Sequence, residues 1–186
     1  MMNKVRVFLV VLCLLNSLAW SQQVKDVEAQ EAFVMLKKPA TYLVDVRTIA
    51  EYVYVGHAEM VTNVPLLFWE EREQDRVANT DFVSDVKSLF QSDDTLILIC
   101  RSGGRSVTAA KLLKRAGFTN LFNVKQGFEG GRDEYGHRSI NGWKNSGLPY
   151  TYRLDPKLTY TFRQEQKISR PSFSSLRMLT YLCFTV

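Results

Sequence analysis

The order of apolar and polar positions along the chain predicts strands that alternate with helices. Apolar runs at residues 42–46 and 95–99 have the length and composition of buried strands, and residues 118–124 contain a third. A short extended piece is expected at residues 63–66. Because strands covered on both faces appear as continuous apolar runs, the pattern predicts an α/β fold with a parallel central sheet flanked by helices.

Four helices are expected, one before the first of these strands and three between them. The first covers residues 26–38, with Asp26 as its cap and Pro39 after its end. The second covers residues 49–55, because Thr48 and Glu51 have the spacing of a capping box and Gly56 closes the helix. Helical spacing returns after residue 80 and at residues 106–116, and the alternating charges of residues 68–77 predict an exposed helix or a lid-like loop.

The composition is that of a soluble globular protein. The chain has 186 residues, of which 46% are hydrophobic and 23% are charged. Its formal net charge is +5. That excess is small and forms no stripe interleaved with aromatic residues, so no nucleic-acid partner is predicted.

The amino-terminal residues have the three parts of a secretory signal peptide. Lys4 and Arg6 form a positive region, residues 7–15 are apolar, and small residues near Ser21 offer a cleavage site. We therefore expect a signal peptide at residues 1–21 and an exported protein, with the bacterial periplasm as its location. Removal of this segment leaves two cysteines, Cys100 and Cys183, which are too few for a disulfide scaffold.

The most informative segment follows the strand at residues 95–99. Cys100 stands at the end of that strand, at the mouth of a glycine-containing loop that leads into a helix. Glycines allow the backbone to turn its N–H groups inward, and at a helix amino terminus such groups form a cradle for anions. The same field favours the thiolate form of a cysteine at its centre. The candidate site comprises Cys100 as nucleophile and an anion-binding loop of Arg101, Ser102, Gly103, Gly104, Arg105 and Ser106. No metal site or cofactor is predicted.

These motifs resemble those of the rhodanese-like sulfurtransferases. Cys100, Gly103, Arg105 and Ser106 are spaced as in the active-site loop of that family. The resemblance extends from residue 24 to residue 150, with an insertion at residues 132–137 similar to that of exported bacterial members. It implies a three-layer rhodanese-like domain at residues 22–150, followed by an extension of unknown structure at residues 151–186. Further matching segments are residues 43–47, 51–52, 56–57, 63–65, 127–128, 130–131, 142–143 and 147–149.

The resemblance implies sulfur transfer through a persulfide on Cys100. Four residues separate Cys100 from Arg105, whereas the phosphatase and arsenate-reductase relatives have a longer loop. The implied substrates are a small anionic sulfur donor such as thiosulfate and an acceptor that is a thiol, cyanide or a protein. We expect Arg101 to face the donor, Arg105 to brace the loop through a carboxylate, and Ser106 to cap the following helix. Asp45 and Arg47 are expected to be structural supports, and His57 has no evident catalytic partner.

Two other functions stay open from the sequence. The domain could act as a binding module or persulfide carrier for a protein partner without turnover of small substrates. Cys183 could resolve an oxidised Cys100, which would make the pair a redox switch. The segment at residues 172–186 is compatible with a docking strand, a disordered extension or a translation artefact.

Overall fold

A parallel sheet lies at the centre of the computed structural model, which describes residues 24–72 and 74–169. Five strands form this sheet, in the order β1-β8-β7-β2-β4. Three two-stranded sheets, β3 with β11, β5 with β6 and β9 with β10, lie outside it. The described strands are β1 (Lys25–Val27), β2 (Thr41–Asp45), β3 (His57–Ala58), β4 (Thr62–Asn63), β5 (Leu67–Glu70), β6 (Asp75–Ala78), β7 (Thr95–Ile99), β8 (Asn120–Val124), β9 (Gly131–Arg132), β10 (Arg138–Ile140) and β11 (Tyr150–Thr151).

Helices cover both faces of the central sheet, as the apolar pattern predicted. Strand β7 shows the arrangement best, because Leu96 and Leu98 point into one core and Ile97 and Ile99 into the other. The described helices are α1 (Ala29–Met35), α2 (Ile49–Val55), α3 (Phe82–Lys87), α4 (Gly104–Arg115), α5 (Gly142–Asn145) and α6 (Tyr160–Ser169).

The two cores draw on different helices. Phe82 and Val86 of α3 and Leu113 of α4 fill the first core. Tyr52 of α2 and Trp143 of α5 fill the second, together with Ala32 of α1. The carboxyl ends of β2 and β7 are adjacent, because Asp45 is paired with Ile99 in parallel register. Loops that follow these two strands therefore meet at one edge of the sheet, where α/β proteins bind their ligands.

Two segments differ from the sequence expectations. Asp26 does not cap a helix: it lies in β1, where it pairs with Asn123 of β8, and the Asn123 side chain donates a hydrogen bond to its carboxylate at 2.8 Å. Pairing with a distant strand outweighs the local capping signal, and the first helix begins only at Ala29. The prediction of an exposed helix or lid-like loop at residues 68–77 is wrong, because Leu67–Glu70 and Asp75–Ala78 pair as the strands β5 and β6 of an antiparallel hairpin.

The remaining predicted helices are present, one with the predicted bounds and two with shorter or shifted bounds. Helix α2 begins and ends as predicted, and both bonds of the capping box between Thr48 and Glu51 are formed. Helix α4 begins two residues earlier than expected, at Gly104. Helix α3 ends at Lys87.

The described part of the carboxyl-terminal extension packs against the domain. Tyr160 is buried in the first core, and its hydroxyl donates to a carboxylate oxygen of Asp85 at 2.8 Å. The backbone N–H of Asn63 donates to the carbonyl of Leu158 at 2.9 Å, and Arg163 donates to the carbonyl of Asn63 at 2.6 Å. These contacts place the extension along β4, the edge strand of the central sheet.

The expected signal peptide, Cys13, Cys183 and the segment at residues 172–186 lie outside the described residues. Within residues 24–72 and 74–169, the helices are too short or too polar for any of them to cross a membrane. The same residues contain no cluster of three or more histidine, cysteine or carboxylate side chains arranged to hold a metal ion.

Candidate active site

Cys100 lies at the carboxyl end of β7, beneath the amino terminus of α4. It is 1% exposed. The backbone N–H of Gly103 donates to its Sγ at 3.2 Å, and the Ser106 hydroxyl lies 3.3 Å from the same sulfur. Both groups stabilise negative charge on the sulfur, because hydrogen bonds to an ionised acceptor are stronger than those to a neutral one.

Ser106 does not act as the helix cap that the sequence predicted. Gly103 occupies the cap position, and Ser106 lies within the first turn of α4. Its hydroxyl is 2.9 Å from the carbonyl oxygen of Gly103 as well as 3.3 Å from Cys100 Sγ. Since a hydroxyl carries one hydrogen, the bond to sulfur is strongest when negative charge on the sulfur draws that hydrogen away from the carbonyl.

The tight course of the loop depends on two glycines. Gly103 has φ 97°, and a Cβ atom there would overlap the carbonyl oxygen of Lys125. Gly127 has φ 62°, and a Cβ atom there would overlap the carbonyl oxygen of Cys100. Neither position tolerates a side chain, so the loop and the segment after β8 pack backbone against backbone.

The segment after β8 also binds the loop through hydrogen bonds. The N–H of Phe128 donates to the carbonyl of Cys100 at 2.7 Å, and the N–H of Glu129 donates to the carbonyl of Arg101 at 3.0 Å. These bonds fix the backbone of the loop in the conformation in which the Gly103 N–H points at the sulfur. A helix leaves its first N–H groups without intrahelical acceptors, and α4 therefore adds a positive field at the same place.

Arg105 braces the loop against α2. Its two terminal nitrogens each lie 2.6 Å from a different carboxylate oxygen of Glu51. Burial acts to raise the pKa of Glu51, but the hydrogen bonds and charge of Arg105, with the bonds from Thr48, outweigh it and lower the pKa to about 2. The bracing carboxylate expected for Arg105 is thus present, and Glu51 serves both the capping box and this ion pair.

Arg101 is half-buried and lies beside a cavity of about 400 Å³. Its Nε is buried and has no hydrogen-bond partner among the described residues. Trp69 and Arg76 of the β5–β6 hairpin line the same cavity. Ser102 and Gly104 are exposed at the outer side of the loop and do not line it.

Asp45 and Arg47 form a buried ion pair directly behind the site. Arg47 donates to the Asp45 carboxylate at 2.7 Å and to the carbonyl of Gly56 at 2.7 Å, and both side chains are almost completely buried. The guanidinium also lies 4.3 Å from the centre of the Phe128 ring. The pair therefore joins the end of β2 to the segment that holds the loop, which is a supporting position.

His57 is buried beside Tyr52, a residue of the second core. Its ring stacks on Tyr52 with centroids 3.8 Å apart, and its Nδ1 is 3.2 Å from the Tyr52 carbonyl oxygen. Burial lowers the pKa of His57, so that the ring is neutral at pH 7. It lines a different cavity, of about 430 Å³, formed with residues 151–158. This packing role agrees with the absence of a catalytic partner in the sequence.

Sequence reasoning missed the contributions of four residues to the site. Glu51 was recognised as part of a capping box but not as the partner of Arg105. Phe128 was noted in a motif, yet its N–H bond to Cys100 depends on a fold that brings β8 beside β7. Trp69 and Arg76 were assigned to an exposed segment, and only the hairpin register, which pairs them across the strands, reveals that they face one cavity.

Comparison with known proteins identifies one family. The family model described as "Rhodanese-like domain" matches residues 28–134. The uncharacterized protein RC0915 of Rickettsia conorii is 31% identical over 134 residues, which cover 69% of this chain and 98% of that protein. Thiosulfate sulfurtransferase 18 of Arabidopsis thaliana is 32% identical over 114 residues, which cover 61% of this chain and 82% of that protein.

A solved structure also has this fold. The crystal structure of Rv0390 from M. tuberculosis matches with a TM-score of 0.63 and 32% sequence identity. The match covers 71% of this chain and 100% of that chain.

Proposed function

Because this chain belongs to the rhodanese-like family, we propose that it is a sulfurtransferase that works through a persulfide on Cys100. The proposed donor is thiosulfate or a similar small anion that carries a sulfane sulfur. The proposed acceptor is a thiol or cyanide. The observation that supports this function best is the environment of Cys100 Sγ, which has the Gly103 N–H at 3.2 Å and the Ser106 hydroxyl at 3.3 Å.

In the first step, the Cys100 thiolate attacks the outer sulfur of thiosulfate. A bond forms between Sγ and the outer sulfur, the bond between the two thiosulfate sulfurs breaks, and sulfite leaves with that electron pair. Arg101 follows Cys100 in the chain and lines the cavity beside the loop, so it is the cation that we expect to attract the anionic donor. The terminal sulfur of the new persulfide carries the negative charge, which the loop amides and the amino terminus of α4 stabilise.

In the second step, the acceptor attacks the terminal sulfur of the persulfide. A bond forms between the acceptor and this sulfur, and the Cys100 sulfur leaves with the electrons of the broken S–S bond. Cyanide gives thiocyanate, and a thiolate gives an acceptor persulfide. The thiolate of Cys100 is restored without an added oxidant or reductant.

The position of Arg105 supports sulfur transfer over hydrolysis of a phosphate ester. Four residues separate it from Cys100, and both of its terminal nitrogens are bonded to Glu51. An arginine held in this way is not available to bind the oxygens of a tetrahedral phosphate above the thiol. The donors that remain at the sulfur are the Gly103 N–H and the Ser106 hydroxyl, which suit the charge of a single sulfur atom.

We further propose that the protein acts in the bacterial periplasm after removal of residues 1–21. The charged, apolar and small-residue regions of this segment support export. Fractionation of cells that produce the full chain, followed by amino-terminal sequencing of the mature form, tests this location. Recovery of an unprocessed chain in the cytoplasm would exclude it.

The mechanism is tested by intact-mass spectrometry after treatment with thiosulfate. The protein is expected to gain the mass of one sulfur atom, to lose it on addition of cyanide, and to release thiocyanate in a continuous assay. Cys100→Ser is expected to do none of these. A wild-type protein that gains no sulfur would overturn the mechanism. A persulfide that forms but is not turned over by small acceptors would instead identify a carrier for a protein partner.

A further inference from the structure

A cavity of about 400 Å³ lies between the β5–β6 hairpin and the active-site loop. Trp69, Asp75 and Arg76 line it from the hairpin, and Arg101 lines it from the loop. The start of α2, including Glu51, forms the remaining wall. Since cavities of roughly 300–1,000 Å³ are typical of small-ligand sites, this volume suits a small organic molecule better than a protein segment.

The charged groups of the cavity are of both signs. Arg76 and Arg101 form no ion pair with any carboxylate of the described residues. Glu51 is already bonded to Arg105 through both of its oxygens. Asp75 accepts the backbone N–H of Arg76 at 2.7 Å through one oxygen, and no partner of its other oxygen is found among the described residues.

The hairpin places an aromatic surface beside these charges. Trp69 is paired directly with Arg76 across the two strands, and 55% of its surface is exposed. Cross-strand partners have neighbouring side chains on one face of the hairpin. The cavity thus combines an apolar platform, two cations and one carboxylate that has no ion-pair partner among the described residues, and it borders the active-site loop at Arg101.

We propose that this cavity selects an acceptor thiol that carries an amino-acid head group. The carboxylate of the acceptor binds Arg76, its ammonium group binds Asp75, and its carbon chain lies on Trp69. The thiol then reaches the persulfide past Arg101, the residue that follows Cys100. Thiosulfate has neither an ammonium group nor an apolar part, so this set of groups fits an acceptor better than the donor.

The inference rests on the proposed function, and the transfer needs no reagent besides the Cys100 persulfide and the acceptor thiol. The acceptor thiol loses its proton to solvent, and its sulfur attacks the terminal sulfur of the persulfide. One S–S bond forms and one breaks, so the products are an amino-acid persulfide and the Cys100 thiolate. Both Arg76 and Asp75 act on binding of the acceptor and not on formation of the enzyme persulfide.

The test isolates the second step. Protein loaded with thiosulfate is freed of donor and mixed with one of four thiols: cysteine, 3-mercaptopropionate, cysteamine or 2-mercaptoethanol. Loss of the sulfur mass is followed with time for the wild type, Arg76→Gln and Asp75→Asn. Arg72→Gln is the matched control, because Arg72 is exposed in the same hairpin but does not line the cavity. The ratio of variant to wild-type rate cancels the intrinsic reactivity of each thiol.

Arg76→Gln is expected to slow sulfur transfer to cysteine and to 3-mercaptopropionate by about fivefold, because both carry a carboxylate. The rates of transfer to cysteamine and 2-mercaptoethanol should stay unchanged. Asp75→Asn is expected to slow sulfur transfer to cysteine and cysteamine only, because these two thiols carry an ammonium group. The asparagine amide oxygen can still accept the Arg76 N–H, so the local backbone should keep its conformation. Equal effects on all four thiols, or no effect on any, would overturn the proposed selection. Thiocyanate formation by the same wild-type preparation separates this failure from failure of the proposed function, since cyanide carries no head group.

Discussion

Arg105 and Glu51 form a bidentate ion pair that joins the starts of two helices. Each terminal nitrogen of Arg105 is 2.6 Å from its own carboxylate oxygen, and the side chains are only 14% and 20% exposed. Glu51 belongs to the first turn of α2 and Arg105 to the first turn of α4. The pair therefore fixes the anion cradle relative to the loop that follows β2.

Glu51→Gln is expected to reduce stability in a manner that depends on pH. The pKa of Glu51 is about 2 in the folded protein, well below its ordinary value of 4.5. Because the pKa is lower in the folded protein than in the unfolded chain, ionised Glu51 stabilises the folded state by about 3 kcal/mol at pH values above the unfolded pKa. This contribution is lost as the pH falls from about 5 towards 2. The difference in unfolding free energy between wild type and Glu51→Gln should therefore shrink across that window, as measured by urea unfolding.

Glu28→Gln is the matched control for this measurement. Glu28 lies 3.9 Å from Lys125, and both side chains are more than half exposed. Exposed pairs contribute little, so this variant should change stability by less than about 1 kcal/mol at any pH. A Glu51→Gln protein that matched the wild type at pH 7 would show that the ion pair does not hold the loop.

Gly103→Ala and Gly104→Ala are expected to behave in opposite ways. A Cβ atom on Gly103 would overlap the Lys125 carbonyl and require φ 97°, whereas a Cβ atom on Gly104 has nothing within 4 Å. Gly103→Ala should therefore destabilise the fold by about 3 kcal/mol or more. Gly104→Ala should leave stability unchanged or raise it by up to about 1 kcal/mol, because alanine favours a helix. Thermal unfolding of the two variants side by side checks both values.

Ser106→Ala is expected to slow persulfide formation while the fold stays intact. The variant removes a donor 3.3 Å from Cys100 Sγ, so that negative charge on the sulfur loses one hydrogen bond. A loss of about tenfold in the rate of the first step follows from the usual strength of a bond to a charged group. Thr108→Ala, which removes an exposed hydroxyl from the same helix, serves as control. An unchanged rate in Ser106→Ala would show that the hydroxyl stays on the Gly103 carbonyl throughout.

Asp45→Asn is expected to be among the most destabilising single changes. It would leave the buried Arg47 guanidinium without its anionic partner at 2.7 Å. Removal of one partner from a buried ion pair destabilises proteins by about 3–5 kcal/mol. Urea unfolding of Asp45→Asn checks this value, and a loss below about 1 kcal/mol would contradict a supporting role for the pair.

Arg163→Ala tests the attachment of the carboxyl-terminal extension. Arg163 donates to the carbonyls of Asn63 and Leu158 at 2.6 and 2.5 Å. Its loss should lower the free energy of unfolding by about 1–3 kcal/mol and increase protease cleavage after residue 154. Lys157→Ala changes an exposed neighbour and should do neither. Equal cleavage of wild type and Arg163→Ala would show that the extension is held by other contacts.

Local signals predicted the parts of the fold that depend on near neighbours. The apolar run of β7 and the spacing of Thr48 and Glu51 each involve only a few neighbouring residues. The strand and the start of α2 could therefore be predicted from the sequence. The position of Cys100 at a strand end followed from the same reasoning. The family resemblance then supplied the order of the surrounding motifs.

Distant contacts decided the parts that the sequence did not predict. Asp26 has the character of a helix cap, but pairing with β8 places it in a strand. Ser106 has the character of a cap as well, yet Gly103 reaches the left-handed conformation and takes that position. The cavity beside Arg101 depends on the register of the β5–β6 hairpin, which alternating charges alone do not reveal.

The contact between Asn63 and the extension limits how copies of this protein can associate with one another. An edge strand with free N–H and C=O groups is a template on which another chain can add a strand. Both outward groups of Asn63 are occupied, one by the Leu158 carbonyl and the other by Arg163. The extension thus closes the edge of the sheet at β4 to self-association, and a chain that ended near residue 154 would be prone to aggregate there.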